Sequence, residues 1–404
     1  GSGPCLPACS APDIPRIAPM TDLWIANTIS DLIEGDVREH LPLERIPLQG
    51  DVLGMGTTTS YDNGELAFLY DSDQKQSQVF KAKPEGGGVE RLLPGEGLHH
   101  FPYACFSADA TGLRHPLSSA DLAELQVQPG EPLMAVVGRA IPLLIAEQRL
   151  EPAPVYGLRL VSRWSSLVYT VASKLCMGER RRNRAFTIAN SQPTAEDGRS
   201  IYAALKHFRV GDANWDQAAG ISNLGASPGW DCCGFWDSEP ESGRLTVPVA
   251  GEHLHLHGCS QDLRHGGHLH HEHVGSILLG LDSLVIYPFH SISHLASDLA
   301  IESLGWTPAN SGGRAPGLLE FELHNRGQLD VSDVGVAVVV DDHYNSHSYL
   351  RIPWLAAGEA ENFKLPLDLG AGSHGVEVIA DPHGDILEPT GQQVNNRGCL
   401  RIDI

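Results

Sequence analysis

Residues 253–273 read His-Leu-His-Leu-His-Gly-Cys-Ser-Gln-Asp-Leu-Arg-His-Gly-Gly-His-Leu-His-His-Glu-His. This stretch holds eight of the chain's twenty histidines. Neutral imidazole binds zinc, copper, iron and nickel well, so the concentration predicts a transition-metal site. The alternatives are a purification tag or a solvated His-rich loop. The stretch is internal and alternates histidine with leucine, which favours the metal site.

The spacing of three of these histidines predicts how the metal is held. In a strand, His255 and His257 project from the same face, because side chains alternate with period two. Gly266-Gly267 predicts a turn that brings His268 back opposite them. Three imidazoles leave a fourth position open, as in catalytic zinc sites. We therefore predict a Zn²⁺ ion bound by His255, His257 and His268.

Four short motifs in this region resemble the zinc-binding half of the bacterial acetolactate decarboxylases. In chain order they are Gly234-Phe235-Trp236, Val247-Pro248-Val249, His255-Leu256-His257 and Gly266-Gly267-His268. The family's corresponding pattern is G-F-[RW], N-V-P-G-Y, H-x-H and then G-G-H. Ten residues separate His257 from His268, as they separate the second and third ligands of the family.

The upstream part of the chain carries further motifs of the same family. Thr28–Asp36 resembles the family's early helix, and Gly50–Thr57 resembles its G-D-x-G-x-G-T strand. Asn63-Gly64-Glu65-Leu66 resembles its D-G-E turn, and Tyr156-Gly157-Leu158-Arg159-Leu160 resembles its Y-A-[IV]-[RK] strand. The resemblance covers about residues 22–290. Within it, residues of about 175–232 do not fit the family and are interpreted as an insertion.

The resemblance implies a zinc-dependent lyase that decarboxylates a small β-keto acid of the 2-hydroxy-3-oxo type. Zinc chelated by the ketone and hydroxyl oxygens stabilises the enediolate left by the loss of CO₂. Arg159 holds the departing carboxylate with its planar fork, and Glu65 delivers or relays the proton. Thr57 or Thr58 bonds a carboxylate or a zinc-bound oxygen.

Each of these roles has a structural alternative. Arg159 can belong to a surface salt bridge, Glu65 can be an exposed residue of the turn, and the threonines can pair with the backbone. The family's C-terminal glutamate has only a weak counterpart, Glu302.

Histidines beyond the three predicted ligands depart from the family pattern. For His265, His270, His271 and His273 the sequence leaves open a supporting contact to the ligands, a second metal site or a solvated position. These departures and the insertion favour a substrate larger than acetolactate, or a diverged zinc enzyme for cyclisation or aldol-type chemistry. A non-catalytic metal-binding or adhesion protein is the remaining alternative.

Composition limits the classes of protein that need to be considered. A length of 404 residues predicts two or three domains. The net charge of −22 argues against non-specific binding to nucleic acid or anionic membranes. The longest apolar runs are too short for a membrane-spanning helix. We expect a mainly β chain with some α (α+β), because glycine, proline and short alternating segments are abundant.

The eight cysteines permit disulfides without requiring them. Bridging the neighbours Cys232 and Cys233 is strained, so two free thiols are expected. Cys259 follows a predicted ligand by two residues. We expect it to be a small buried side chain, with metal ligation as the alternative.

We predict three segments in the chain. Residues 1–21 read as an N-terminal arm, 22–307 as the acetolactate-decarboxylase-like zinc domain, and 308–404 as a β-sandwich after a Pro- and Gly-rich linker. In the last segment Asn325-Arg326-Gly327, Ala357-Gly358, Ala380-Asp381, Glu388 and Asn395-Asn396 resemble the Ig-like CARDB family of bacterial accessory modules. Within the insertion, Thr194–Phe208 predicts a helix.

The expected partner is a small acidic substrate. A homodimer and protein contacts through the C-terminal domain stay open. Gly1-Ser2-Gly3 resembles the remnant of a cleaved tag, so a leader could have preceded it. The sequence therefore does not choose between the bacterial cytoplasm and a periplasmic or secreted location.

Overall fold

The computed structural model describes residues 21–33, 41–58, 64–83, 88–93, 100–101, 103–171, 206–211, 221–226, 229–308, 316–389 and 391–404. The chain divides into a first unit of residues 21–295 and a second unit that comprises 296–404. The predicted N-terminal arm and most of the predicted insertion lie outside the described residues. No described helix is long and apolar enough to cross a membrane.

The first unit consists mainly of strands. They are β1 (Leu23–Ala26), β2 (Leu41–Pro42), β3 (Val52–Thr58), β4 (Gly64–Asp71), β5 (Gln76–Ala82), β6 (Val89–Leu92), β7 (His100–Phe101), β8 (Tyr103–Asp109), β9 (His115–Pro116), β10 (Val155–Val171), β11 (Lys206–Gly211), β12 (Ser222–Asn223), β13 (Trp230–Asp237), β14 (Leu254–Ser260), β15 (Gly266–Leu269), β16 (Ile277–Phe289) and β17 (Ile292–Leu295). Three α-helices accompany them: α1 (Ile29–Ile33), α2 (Ser119–Glu124) and α3 (Leu133–Ala146). Short 3₁₀ segments cover Leu43–Arg45, Thr111–Leu113 and Pro240–Ser242.

Two sheets form the framework of this unit. In the first sheet the described strands run in the order β17-β1-β8-β3-β4-β5-β6. In the second the order is β12-β11-β10-β13-β14-β15, and β16 pairs with β10 along most of its length. A core that includes Leu53 and Met55 of the first sheet and Phe235 and Tyr287 of the second lies between the two.

Helix α3 covers the other face of the second sheet, and this explains the alternation of histidine and leucine in β14. Leu254 and Leu256 pack in a core with the apolar stripe of α3, which includes Val137 and Ile141. Because side chains alternate across a strand, His255 and His257 point to the opposite face, toward the first sheet. Both faces of β14 are therefore buried, and one of them carries imidazoles.

The hairpin of β14 and β15 confirms the predicted position of His268 but corrects its cause. His268 lies directly opposite His257 in the antiparallel register. The chain reverses at residues 261–265, before the glycine pair, and Gly266-Gly267 lies within β15. A side chain at Gly267, whose φ is +156°, would meet the carbonyl oxygen of Thr170 at 2.3 Å. The glycine is thus required by the close approach of β10 and not by the turn.

The second unit is a β-sandwich. Its strands are β18 (Leu299–Thr307), β19 (Gly317–Asn325), β20 (Val331–Val340), β21 (His343–Leu355), β22 (Ala360–Leu367), β23 (Ser373–Ala380) and β24 (Arg397–Asp403), with a 3₁₀ segment at Gln392–Asn396. The described strands form a sheet β18-β19-β22 and a sheet β21-β20-β23-β24. Apolar side chains such as Leu319, Phe321, Val336 and Val378 fill the space between them. The predicted fold class, mainly β with an Ig-like sandwich, is confirmed.

The CARDB-like motif residues stabilise turns of the sandwich. The Asn325 side chain donates to the carbonyl oxygens of Leu329 and Leu355 and accepts from the Gly327 amide. Glu388 accepts from the Leu299 amide and from the Asn396 side chain. Both residues satisfy backbone or amide groups that would otherwise lose hydrogen bonds on burial.

The boundary between the units differs from the predicted one. Residues 299–307 were assigned to the zinc domain, but they form β18, which pairs with β19. Leu299 and Leu319 lie in one core, so the second unit begins at Ala296 and not at Pro308. The Pro- and Gly-rich stretch predicted to be a linker joins two neighbouring strands of one sheet.

Local patterns elsewhere had mixed outcomes. The sequence of Ser118–Gln126 predicts a helix capped by Ser118 or Ser119. Ser118 caps α2: it accepts from the Asp121 amide, and the Asp121 carboxylate accepts from the Ser118 amide. Most of the helix predicted at Thr194–Phe208 lies outside the described residues. Its last three positions, 206–208, belong to strand β11 and pair with β10, so the end of that prediction was wrong.

Candidate metal centre

Strands β14 and β15 bring together the three histidines that the spacing predicted. One ring nitrogen each of His255, His257 and His268 lies within 4.8 Å of the other two. His255 and His257 are buried, with 7% and 2% of their surface exposed. The rings meet edge to face, with centroids 4.7–5.5 Å apart. Such a group of convergent imidazoles fits a three-histidine zinc site.

Backbone carbonyls fix the orientation of two of the rings. Nδ1 of His255 donates to the Leu245 carbonyl oxygen at 2.6 Å, and Nδ1 of His257 donates to that of Leu66 at 2.7 Å. With Nδ1 protonated in this way, Nε2 is the nitrogen that carries the lone pair for a metal. Carbonyl partners of this kind are typical of histidines that ligate metals.

Burial also keeps the three rings in the form that binds metal. It lowers the pKa of His255 from its ordinary value of 6.5 to about 4. The pKa values of His257 and His268 are lowered well below 6.5, first by burial and then by the charges of neighbouring imidazoles. The rings are therefore neutral at neutral pH, as ligation requires.

Glu65 and Thr57 lie at this centre, on the first sheet. They are directly opposite each other in the β3–β4 register and so share a face. The Thr57 hydroxyl donates to Oε2 of Glu65 at 2.8 Å, and the same oxygen lies 3.7 Å from Nε2 of His257. Both side chains are buried, at 3% and 5% exposure. Glu65 is therefore not an exposed turn residue, and the side chain of Thr58 lies outside the described residues.

Arg159 lies in the same cross-strand row as the ligands but its guanidinium is held elsewhere. The register aligns Arg159 with Cys233, and Cys233 with His257, so the three side chains share a face. Two strand spacings, about 10 Å, separate Arg159 from His257. Its Nε donates to Asp51 at 2.7 Å, and its terminal nitrogens donate to the carbonyl oxygens of Val52 and Phe68.

Asp51 is the partner that the sequence reasoning missed. It is fully buried and accepts from Arg159 and, at 2.7 Å, from the Tyr287 hydroxyl. Arg114 lies 3.5 Å away. The partners are 63, 108 and 236 positions away, so no local signal in the sequence links them. The contacts make Arg159 part of a buried ion pair and not of a surface salt bridge.

The additional histidines are held by hydrogen bonds around the centre. His270 bonds the Thr170 hydroxyl at 2.9 Å and the Glu272 carboxylate at 2.9 Å, and its ring lies 4.6 Å from that of His268. His271 donates to the Leu254 carbonyl oxygen at 3.0 Å. Among the described residues, neither joins a group of three metal-binding side chains. Their hydrogen bonds hold the segment that follows His268 in place.

His265 and His273 have separate partners. Nδ1 of His265 lies 3.3 Å from the Tyr169 hydroxyl, and Nδ1 of His273 accepts from the Gly275 amide at 2.9 Å. Cys259, Cys232 and Cys233 are free and buried, as predicted. Burial raises the pKa of the Cys259 thiol far above its ordinary value, which is consistent with a packing role.

The weak candidate Glu302 is placed in the second unit. Its carboxylate accepts from Arg326 at 2.6 Å and lies 3.2 Å from Nδ1 of His324. Glu65 is the carboxylate that the fold brings to the ligands.

Residues 296–397 match the CARDB family model. The chain has a solved structural relative in the α-acetolactate decarboxylase from Bacillus subtilis, at 14% identity and a TM-score of 0.41, over 67% of this chain and 87% of that one. The acetolactate decarboxylase of Bacillus subtilis subspecies spizizenii gives 15% identity, a TM-score of 0.41, and coverage of 67% and 88%.

A CARDB domain from Pyrococcus furiosus, solved in complex with di-metal ions, is a further structural relative. It has 18% identity and a TM-score of 0.21, over 27% of this chain and 88% of its own. No curated protein matches the chain in sequence. The chain thus resembles acetolactate decarboxylases in its N-terminal portion and the CARDB family in its C-terminal portion.

Proposed function

We propose that the protein is a zinc-dependent carbon–carbon lyase that decarboxylates a β-keto acid of the 2-hydroxy-3-oxo type. One observation carries the proposal: a buried carboxylate, Glu65, lies 3.7 Å from Nε2 of a histidine that belongs to a three-imidazole cluster. A site that only stored a metal would need the imidazoles and not a carboxylate of this kind. The pairing is typical of a metal centre with an acid–base group beside it.

His255, His257 and His268 would hold the ion through their ring nitrogens. Bound zinc supplies a Lewis acid that draws electrons from a coordinated carbonyl. The backbone bonds to Leu245 and Leu66 keep two of these ligands aligned before a substrate arrives. A neutral three-histidine set leaves the positive charge of the ion uncompensated, which favours an anionic substrate.

Glu65 would handle the proton. When the carbon–carbon bond to the carboxylate breaks, CO₂ leaves and its bonding electron pair stays on the carbon beside the ketone. That carbon needs one proton, and Glu65 in its protonated form donates it. The Thr57 hydroxyl, bonded to Oε2, sets the direction of the carboxyl group and so acts as a positioning residue.

The contacts of Arg159 favour a second candidate. Nε and both terminal nitrogens of its guanidinium already have acceptors in the protein, so they do not form a fork for a leaving carboxylate. A substrate that carries no free carboxylate, as in cyclisation or aldol-type carbon–carbon chemistry, would not need that fork. Loss of catalysis altogether, with only metal binding retained, is the remaining candidate.

A substrate panel tests the proposal. The zinc-loaded full chain is incubated with 2-hydroxy-3-oxo acids of increasing size, acetolactate among them, and with matched aldehyde and ketone substrates for aldol chemistry. CO₂ release that is absent with the His255→Ala chain is the expected result. Carbon–carbon chemistry without CO₂ would support the second candidate, and no turnover on either panel would leave a metal-binding protein.

A further inference from the structure

The second unit contains another group of metal-binding side chains, on the outward face of the sheet β18-β19-β22. Single donor atoms of Glu302, Glu322 and His324 all lie within 4.8 Å of one another. We propose that this second-unit triad is a site for a divalent transition-metal cation. It is separate from the three-histidine centre, and the inference does not depend on the catalytic role proposed for that centre.

Strand register explains why the three side chains meet. Glu302 and Glu322 are directly opposite each other in the antiparallel β18–β19 pair, and His324 follows two residues after Glu322 on the same face. Directly opposed side chains lie about 4.5–5.5 Å apart at Cβ. Small neighbours flank His324, because Ala300 and Ala360 are its partners on the two sides. The imidazole therefore leans toward Glu302, with Nδ1 3.2 Å from the carboxylate.

The charges of the triad call for a cation. Two carboxylates directly opposite each other destabilise a sheet unless something neutralises them. Arg326 supplies one positive charge, through its Nε bond to Glu302 at 2.6 Å. Within the described part of the chain, Glu322 has no hydrogen bond or ion pair. One arginine thus balances only one of the two carboxylates, whereas a divalent ion would balance both.

A neighbouring glutamate on the same strand face shows the contrast. Glu320 precedes Glu322 by two residues and is paired with Lys364, the residue directly opposite it on β22. The residue opposite Glu322 on β22 is Asn362, which carries no charge. The strand therefore holds one glutamate with its own cation and one, Glu322, whose cross-strand partners Glu302 and Asn362 carry no positive charge.

The donor types indicate which ions would bind. A calcium site needs six to eight oxygens and a magnesium site prefers oxygen ligands, whereas imidazole suits zinc and other transition metals. One imidazole and two carboxylates match a zinc or manganese ion that keeps water in its other positions. All three side chains are partly exposed, so an ion could enter without unfolding.

Metal stoichiometry of the full chain tests the inference. The protein is freed of metal with a chelator and titrated with Zn²⁺, followed by calorimetry and elemental analysis. We expect two equivalents for the parent chain, and one for the Glu322→Gln and His324→Ala chains. The His255→Ala chain should retain the second-unit site, which separates this result from any result on the three-histidine centre.

Two further variants sharpen the assignment. Glu320→Gln is the matched control, since it removes a carboxylate from the same strand face, and it should retain both equivalents. Arg326→Gln should bind the second equivalent more tightly than the parent, because the competing cation on Glu302 is gone. Far-UV circular dichroism checks that each variant is folded. A folded His255→Ala chain that binds no zinc, or a folded His324→Ala chain with two equivalents at parent affinity, would overturn the inference.

Discussion

Oε2 of Glu65 lies 3.7 Å from Nε2 of His257, and the two residues belong to different sheets of the first unit. The carboxylate comes from β4 and the imidazole from β14. Their approach therefore depends on how the two sheets pack. A change that leaves each strand intact but shifts one sheet would separate the acid from the ligand.

The Glu65→Gln chain should keep its zinc and its fold but turn over more slowly. The amide preserves the shape of the side chain and removes the acidic proton, and general acid–base catalysis is typically worth about 10²–10⁴-fold. The decrease should appear in kcat, measured on the substrate that the panel identifies. Glu147→Gln, a change on the surface near α3, serves as the control. Turnover of Glu65→Gln at the parent rate would assign the acid to another residue.

The metal-free protein should lose stability as the pH falls below about 6.5. Burial lowers the pKa of His255 to about 4 and those of His257 and His268 well below 6.5. Between pH 6.5 and about 4 the unfolded chain binds more protons than the folded one. The free energy of unfolding therefore decreases as the pH is lowered. Denaturant unfolding at several pH values measures this decrease. The variant His290→Gln, which replaces an exposed histidine, should show the same pH dependence as the parent chain.

Zinc should move this acid transition to lower pH. Protons must then displace the ion from the imidazoles before the folded state is lost, and metal binding adds to the free energy of unfolding. The comparison is between zinc-loaded and chelator-treated protein over the same pH series. Identical curves for the two forms would contradict ligation by these histidines.

Arg159→Lys should act mainly on stability. Lysine cannot reproduce the planar set of bonds from Arg159 to Asp51, Val52 and Phe68. We expect the free energy of unfolding to fall by about 2–4 kcal/mol, as for a buried charge that loses its partners. Arg163→Lys, on the same strand but half exposed and paired with Asp282, should change it by less than about 1 kcal/mol.

The same variant decides between the two roles of Arg159. If the guanidinium served the substrate, the zinc-loaded Arg159→Lys chain would show a raised KM for acidic substrates at unchanged stability. If the contacts in the structure define its role, kcat/KM per folded molecule stays close to that of the parent. Steady-state kinetics below the unfolding temperature separate these outcomes.

A chain of residues 296–404 should fold, and a chain of 308–404 should not fold stably. The shorter chain lacks β18, which pairs with β19 and buries Leu299 in the sandwich core. Burial of one leucine contributes about 1.5–3 kcal/mol, and the edge of β19 would also be left unpaired. Thermal unfolding of the two chains tests this. A cooperative transition of equal midpoint in both would restore the boundary near residue 308.

The sequence predicted best where a local pattern carries the structure. The motif Tyr156–Leu160 lies in a strand, β10, as expected, and the alternation of histidine and leucine predicted which side chains of β14 share a face. His268 was predicted to join His255 and His257 from their spacing and from a chain reversal before it, although the reversal lies at residues 261–265 and not at the glycine pair. The residues of the sandwich could be assigned to strands for the same reason.

The sequence was a weaker guide where a residue's partner is distant. Nothing near Arg159 indicates Asp51, and the motif alone favoured a role at the substrate. Strand β18 was missed because the proline and glycine that follow it read as a linker, although they also suit the connection of a hairpin. Gly267 was taken for a turn residue. Its actual constraint is the carbonyl oxygen of Thr170, which lies on another strand and is not indicated by the neighbouring sequence.

The hydrogen bond from Nδ1 of His257 to the Leu66 carbonyl oxygen joins β14 to β4, the strand that also carries Glu65. This ligand is therefore anchored to the backbone of the residue next to the acid. Preorganisation of this kind reduces the conformational entropy that metal uptake must overcome. It also makes the spacing of acid and ligand a property of the folded chain itself, so zinc enters a site whose acid is already in position.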